Sequence, residues 1–329
     1  LYDQSAPHGY EREAGTETHL RLLEHARHVR VNGDTSRGAL AASRGMCEWK
    51  SFSKMELTKA DDLTRIAGLG RAVREKVETF AGTVTGLAGL DPMSFPLLPG
   101  VGPDRLRRFV ERDGRISDPT AGPIVRMPPN LPRPGHGIDF DVEADPLRKL
   151  MYVYGLWHVV GGEGRFVHFF AETADEAGEH EAFAEAISHF RKYRNAHWVH
   201  YSAYERTAYR ALQQRHPMVR EVEQIDLIIA AERCTDLYPI IAQHTDWPLS
   251  SYGIKSVVRA CGFEWEDADP GSANCIEWYE GLVETDDTAL RDHIVAHNRD
   301  DVIDSQVVGD ALDELETTGM IAAFRRPAK

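Results

Sequence analysis

"GIDFDVEAD", residues 137–145, alternates apolar and acidic side chains, and the period of that alternation decides the fold class. A period of two belongs to a β-strand, whose successive side chains point to opposite faces. Asp139, Asp141 and Glu143 therefore share one face, and Ile138, Phe140 and Val142 the other. Three carboxylates along one face repel one another unless water or a cation lies between them. The stretch is then either an edge strand with a wet face or part of a divalent-metal site, because Mg2+ and Mn2+ prefer carboxylate oxygens.

The neighbouring segments extend the strand into a sheet. "LMYVYGLWHVVGG" (150–162) and "GRFVHFFAE" (164–172) are β-type runs joined by tight polar turns, which predicts an antiparallel three-stranded meander. "TADEAGEHEAFAEAISHFRKYR" (173–194) reads as a helix capped by Thr or Asp, and "AHWVHYS" (196–202) as a fourth strand. Helices follow in "AYERTAYRALQQR" (203–215), "EVEQIDLIIAAERC" (221–234) and "SYGIKSVVRACG" (251–262), with a last long one from Thr288 to Leu315. The expected class is α/β, a mixed sheet with flanking helices.

The first part of the chain has a different texture. Residues 1–58 read as a helical, partly irregular segment, with "ETHLRLLEHARHVR" (17–30) its clearest periodicity. "DDLTRIAGLGRAVREKVETF" (61–80) and "MSFPLLPGVGPDRLRRFVER" (93–112) each run apolar helix, Gly-x-Gly turn and basic helix, as a duplicated helical hairpin would. Residues 116–136 hold six prolines and no periodicity and read as an interdomain linker. The expected organisation is a helical N-terminal segment (1–58), a small all-α domain (59–115), a linker (116–136) and an α/β domain (137–329).

Composition narrows the function classes. A net charge of −14 argues against a generic nucleic-acid binder, and it is unevenly spread: residues 1–60 and 61–116 each carry +1, and residues 117–329 carry −16. Cys47, Cys234, Cys261 and Cys275 show no CxxC pairing, which points to reduced thiols and a reducing compartment. The longest apolar run, around "LMYVYGLWHVV", is too short to span a bilayer, so a soluble, cytoplasmic protein with no membrane partner is expected. The chain opens on Leu rather than Met, consistent with a fragment or a processed product.

Three further stretches carry candidate site residues. "HWVHYSAYERTAY" (197–209) places Glu205 in the first turn of a helix, where it would complement the helix dipole, act as a metal ligand, or both. In "HNRDDVIDSQ" (297–306), His297 and Asp301 are i and i+4 and share a helix face, whereas Asp300 points about 100° away and reads as a surface charge. "SSYGIKSV" (250–257) puts Tyr252 and Lys255 at the start of a helix, with Ser250 or Ser251 as cap and Lys255 either solvated or turned toward a substrate.

In order along the chain, "FDVEADP", "YVYGL", "HYSAYERTA", "DLYPII", "SSYGIKSV" and "HNRDDV" resemble the DEDD exonuclease superfamily, an RNase H-like α/β fold. More closely, residues 137–315 resemble the YprB-type RNase H-like domain at the C-terminus of the RecB-like nuclease family. The resemblance implies four acidic ligands, Asp141, Glu143, Glu205 and Asp301, for two ions of Mg2+ or Mn2+, with His297 where the family carries tyrosine. His297 would act as base, although a His at the tyrosine spacing, with three intervening residues, departs from both common patterns. Glu205 likewise stands where many relatives outside the family use Asp. It also implies that Tyr252 and Lys255 meet the substrate backbone.

The "AGLG" and "PGVG" turns resemble helix-hairpin-helix motifs, in which Gly68, Gly70, Gly100 and Gly102 would let backbone amides approach phosphates, with Arg71 and Arg105 beside them. The alternative is a packing unit that contacts protein. In the resembling family several cysteines near "RGMCEWKSF" (44–52) bind an iron-sulfur cluster next to an upstream nuclease lobe. Cys47 alone remains here, so no cluster and no complete lobe are expected, and residues 1–58 would be a remnant. The function expected is a two-metal 3′→5′ exonuclease on DNA. The alternatives are a catalytically degenerate nucleic-acid-binding or scaffold protein that docks a helicase or other repair partner, and an RNA-processing nuclease.

Overall fold

Strand β2 (His136–Asp145) pairs antiparallel with β3 (Leu150–Val160), which pairs antiparallel with β4 (Glu163–Phe170). In this computed structural model two further strands extend the other side of β2 in parallel, β5 (His197–His200) and then β6 (Cys234–Asp236), giving the order β4-β3-β2-β5-β6. The description covers residues 50–91, 98–118, 120–219, 226, 230, 232–266 and 272–325. The N-terminal segment up to residue 49, with Cys47, lies outside it, as does most of the helix expected over 221–234. Cys234, expected at the end of that helix, is the first residue of β6.

The alternation read from the sequence separates the two faces of the sheet. Ile138, Phe140 and Val142 are buried, and Phe140 meets Phe190 of helix α5 (Glu176–Lys192) and Tyr209 of α6 (Tyr204–Arg215) edge-on. Phe183, Phe190, Trp198 and Tyr209 are almost wholly removed from water in this layer, each worth roughly 1.5–3 kcal/mol of transfer free energy. Asp175 caps α5 by accepting from the Gly178 N–H at 2.9 Å, so Asp rather than Thr fills the expected cap. The opposite face, with Asp139, Asp141 and Glu143, is crossed by the long last helix α10 (Thr288–Thr318), which is capped by Asp287 and closed by Gly319 at φ +79°.

The N-terminal helices are α1 (Lys50–Lys59), α2 (Arg71–Val77), α3 (Val84–Ala88) and α4 (Pro103–Ser117), with a 3-10 turn at Leu63–Arg65. Leu63, Ile66, Val77, Val84, Leu87, Leu106 and Phe109 form their own core. Each Gly-x-Gly turn holds its first glycine in the left-handed region, Gly68 at φ +82° and Gly100 at +76°, a conformation that a Cβ disfavours. Lys76 of α2 donates to the Pro99 carbonyl in the second turn, tying the two hairpins together.

The described residues belong to one compact unit. The proline-rich stretch 116–136 is built into it: β1 (Ile124–Val125) pairs with β7 (Thr245–Asp246), which follows helix α7 (Leu237–His244). Asp246, fully buried, receives Arg112 at 2.7 Å and Arg108 at 3.2 Å from α4, and Arg126 from the stretch itself. Arg112 also donates to the carbonyls of Ala67 (2.9 Å) and Ala242 (2.7 Å). Helices α8 (Ile254–Ala260) and α9 (Ser272–Thr285) complete the fold. Gly253, with no side-chain cap, precedes α8, in place of the serine cap expected.

Candidate metal centre

The acidic face of β2 and one face of α10 meet at close quarters because Gly155 stands opposite Asp141 in the β2–β3 register. A Cβ at Gly155 would lie 1.9 Å from Asn298 Oδ1, so only glycine lets the Asn298 side chain enter. Asn298 donates to Asp141 Oδ2 at 2.9 Å, and His297 Nε2 lies 3.4 Å from Asp301 Oδ2, one helical turn on. The result is a tight group: one carboxylate oxygen from each of Asp141, Glu143 and Asp301 falls within 4.8 Å of the others. Trp265 Nε1 donates to Asp301 Oδ1 at 2.9 Å, and Lys255 Nζ of α8 lies 3.0 Å from Asp301 Oδ2.

Electrostatics explain how so many acids coexist. Burial, then Glu143, Asp301 and Glu205, push Asp141 well above the usual carboxylate range, and burial and Asp301 raise Glu143. Asp301 goes the other way: burial opposes ionisation, but His297, Lys255 and Trp265 together hold it below the ordinary value. Burial also works against charge on His297 and Lys255, yet Asp301 keeps both raised. Asp304, one turn beyond Asp301 and fully buried, is pushed up to about 10 by burial and by Asp301, and neither of its oxygens has a hydrogen-bond partner among the described residues. Two like charges 4 Å apart near a protein surface repel by about 4 kcal/mol, so the group must hold protons or cations. Its all-oxygen donor set fits a hard divalent ion, which would be held by Asp141, Glu143 and Asp301.

Glu205 stands apart from that tight group. It occupies the first turn of α6 as expected, but its Oε2 lies 3.4 Å from His200 Nδ1, although its charge still acts on Asp141. Asp139 is buried, and burial and the charge of Asp310 push its carboxyl well above the usual range. Asp300, expected at the surface, is buried, because the loop bearing Trp265 folds over α10 and the Glu266 N–H donates to Asp300 Oδ2 at 2.9 Å. Lys255 turns into the acidic group. Tyr252 belongs to the core: its ring lies beneath Arg112, and its hydroxyl accepts from the Trp247 N–H at 2.9 Å. Gly68, Gly70, Arg71, Gly100, Gly102 and Arg105 are all exposed.

Asn298, Asp304, Trp265 and Cys275 were not singled out from the sequence. Asn298 and Asp304 had a signal, since each is three or four residues from a chosen position on the same helix. Trp265 and Cys275 had none, since they arrive from other elements.

A mixed sheet of order β4-β3-β2-β5-β6, with carboxylates on its central strand facing a C-terminal helix, defines a ribonuclease H-like α/β protein. The chain belongs to the RNase H superfamily, whose family model RNase_H_2 matches residues 138–312, just over half its length. Members of that superfamily are typically nucleases that use divalent metals on nucleic acid. No curated protein and no solved structure matches the chain.

Proposed function

We propose that the protein is a DEDD-type 3′→5′ exonuclease that hydrolyses DNA phosphodiester bonds by a two-metal mechanism with Mg2+ or Mn2+. The observation that carries this reading is the convergence of Asp141, Glu143 and Asp301 within 4.8 Å beside the fully buried Asp304, whose oxygens have no hydrogen-bond partner among the described residues. Glu205, which lies 3.4 Å from His200, would be the fourth residue to hold the metal. Bound divalent ions would polarise the scissile phosphate and lower the pKa of water. The chain's own side chains fix the ligands: Asn298 orients Asp141, and Trp265 orients Asp301. Lys255 offsets part of the Asp301 charge. His297, on the face of α10 that carries Asp301, would take the proton of the attacking water once cations offset the Asp301 charge that favours its protonated form. The exposed glycine turns at 68–70 and 100–102, with Arg71 and Arg105, hold the DNA backbone as tandem helix-hairpin-helix motifs.

Two observations favour a second reading, a degenerate nucleic-acid-binding or scaffold protein that docks a helicase or repair partner. Lys255 lies on Asp301, and Glu205 faces His200 rather than the other three acids. The deciding experiment follows 3′-labelled and 5′-labelled single-stranded and duplex DNA and RNA with Mg2+ or Mn2+, alongside Asp141→Ala and Asp301→Ala. Mononucleotide release from DNA 3′ ends, lost in both variants, is the expected result. Preferential cleavage of RNA would make the protein an RNA-processing nuclease, and binding without cleavage would support the scaffold.

A further inference from the structure

Glu143 belongs to two sets of converging side chains. Besides the acidic group, one of its oxygens, Cys275 Sγ and a ring nitrogen of His297 lie within 4.8 Å of one another. The three come from separate elements, β2, α9 and α10, and both Cys275 and His297 are almost wholly buried. Their places are held from behind. Tyr279 of α9 stacks on Tyr152 of β3 with ring centres 3.8 Å apart, and Trp278 meets the His297 ring edge-on at 5.6 Å.

The donors here differ in kind from those of the acidic group. Asp141, Glu143 and Asp301 offer hard oxygens suited to Mg2+ or Mn2+, whereas a thiolate, an imidazole and a carboxylate suit a borderline-soft ion. Three such ligands match in kind the donors of zinc sites, which complete four-coordination with a further ligand or water. Burial and the charges of Glu143 and Asp301 keep the Cys275 thiol protonated. The same negative surroundings attract a dication, which would displace that proton and hold the sulfur as thiolate.

We propose that Glu143, Cys275 and His297 form a second metal site, selective for a thiophilic divalent ion such as Zn2+, whose occupancy withdraws Glu143 and His297 from the acidic group and switches the nuclease off. The inhibitory half rests on the function proposed above; the binding half does not.

The test uses the full chain, freed of metal and then held in excess Mg2+. Cd2+ is titrated in while thiolate-to-cadmium charge-transfer absorbance is followed, and the zinc-loaded protein is studied by X-ray absorption at the zinc edge. Expected are one equivalent of cadmium band, its loss in Cys275→Ser, its retention in Cys234→Ser, Cys261→Ser and Asp141→Asn, and a single sulfur neighbour on zinc. A missing band, a band that survives in Cys275→Ser, or a zinc ion with no sulfur or with two would overturn the site. The X-ray measurement needs no variant, so misfolding of Cys275→Ser leaves the question decidable. Cys275→Ser should also need at least tenfold more Zn2+ for half-inhibition of DNA cleavage in Mg2+, and equal inhibition of both proteins would overturn the switch. If the intact protein cleaves nothing, the nuclease reading fails while the cadmium and zinc results still decide the site.

Discussion

At Gly155 a single missing methyl group lets the acidic site assemble. A Cβ there would collide with Asn298 Oδ1, and Asn298 is what donates to Asp141. Gly155→Ala should therefore cost about 1–3 kcal/mol in urea unfolding, as overpacking does, and slow DNA cleavage to the rate of Asn298→Ala, because both remove the same hydrogen bond. A Gly155→Ala protein that cleaves at the parent rate would show that Asn298 does not orient Asp141. The shared faces of β2 and α10 were legible because a period of two and an i, i+4 spacing are properties of single elements, whereas choosing Asp141, Glu143 and Asp301 from them rested on the family resemblance. Asp300 was misread for the opposite reason: the Glu266 N–H that buries it lies 34 residues away in the chain.

Among the elements, α4 serves two environments at once. Leu106, Phe109 and Val110 enter the N-terminal core, while Arg108 and Arg112 reach Asp246. Between them Asp113 is fully buried, and burial and Asp61 push its carboxyl up to about 7, against the Ala88 backbone N–H and Arg65. An acid whose folded pKa is raised lets stability fall as pH climbs from its unfolded value, about 3.9, to its folded one. Asp113→Asn should thus gain stability over the parent by about 1–3 kcal/mol at pH 8 and by clearly less at pH 5, read from thermal unfolding at both. An equal difference at the two pH values would place the Asp113 titration outside that window. Long elements were the legible ones: α10 was expected over 288–315 and runs over Thr288–Thr318. Strand β6, only three residues long, carries no readable period, and α9 was not identified at all.

For the molecule as a whole, the sequence suggested a helical domain tethered by a linker, whereas the Asp246 node ties α4 and residues 124–126 to the α/β body. Arg112 and Asp246 are 134 residues apart, so no local pattern could announce their pairing. Asp246→Asn would leave buried guanidinium charge unpaired and should destabilise by about 3–5 kcal/mol in urea, and a smaller loss would mean that the carbonyls of Ala67 and Ala242 satisfy Arg112 unaided. Charge is divided along the same line. Residues 117–329 carry −16 and must repel a polyanion, while the exposed hairpins present Arg71 and Arg105. If those hairpins hold the DNA backbone, binding is set by a few phosphate contacts and weakens steeply with salt. Arg71→Ala and Arg105→Ala should each reduce the slope of log Kd against log salt by about 1 without changing sequence preference. An unchanged slope in the double variant would move the binding surface away from the hairpins and leave them as a packing unit.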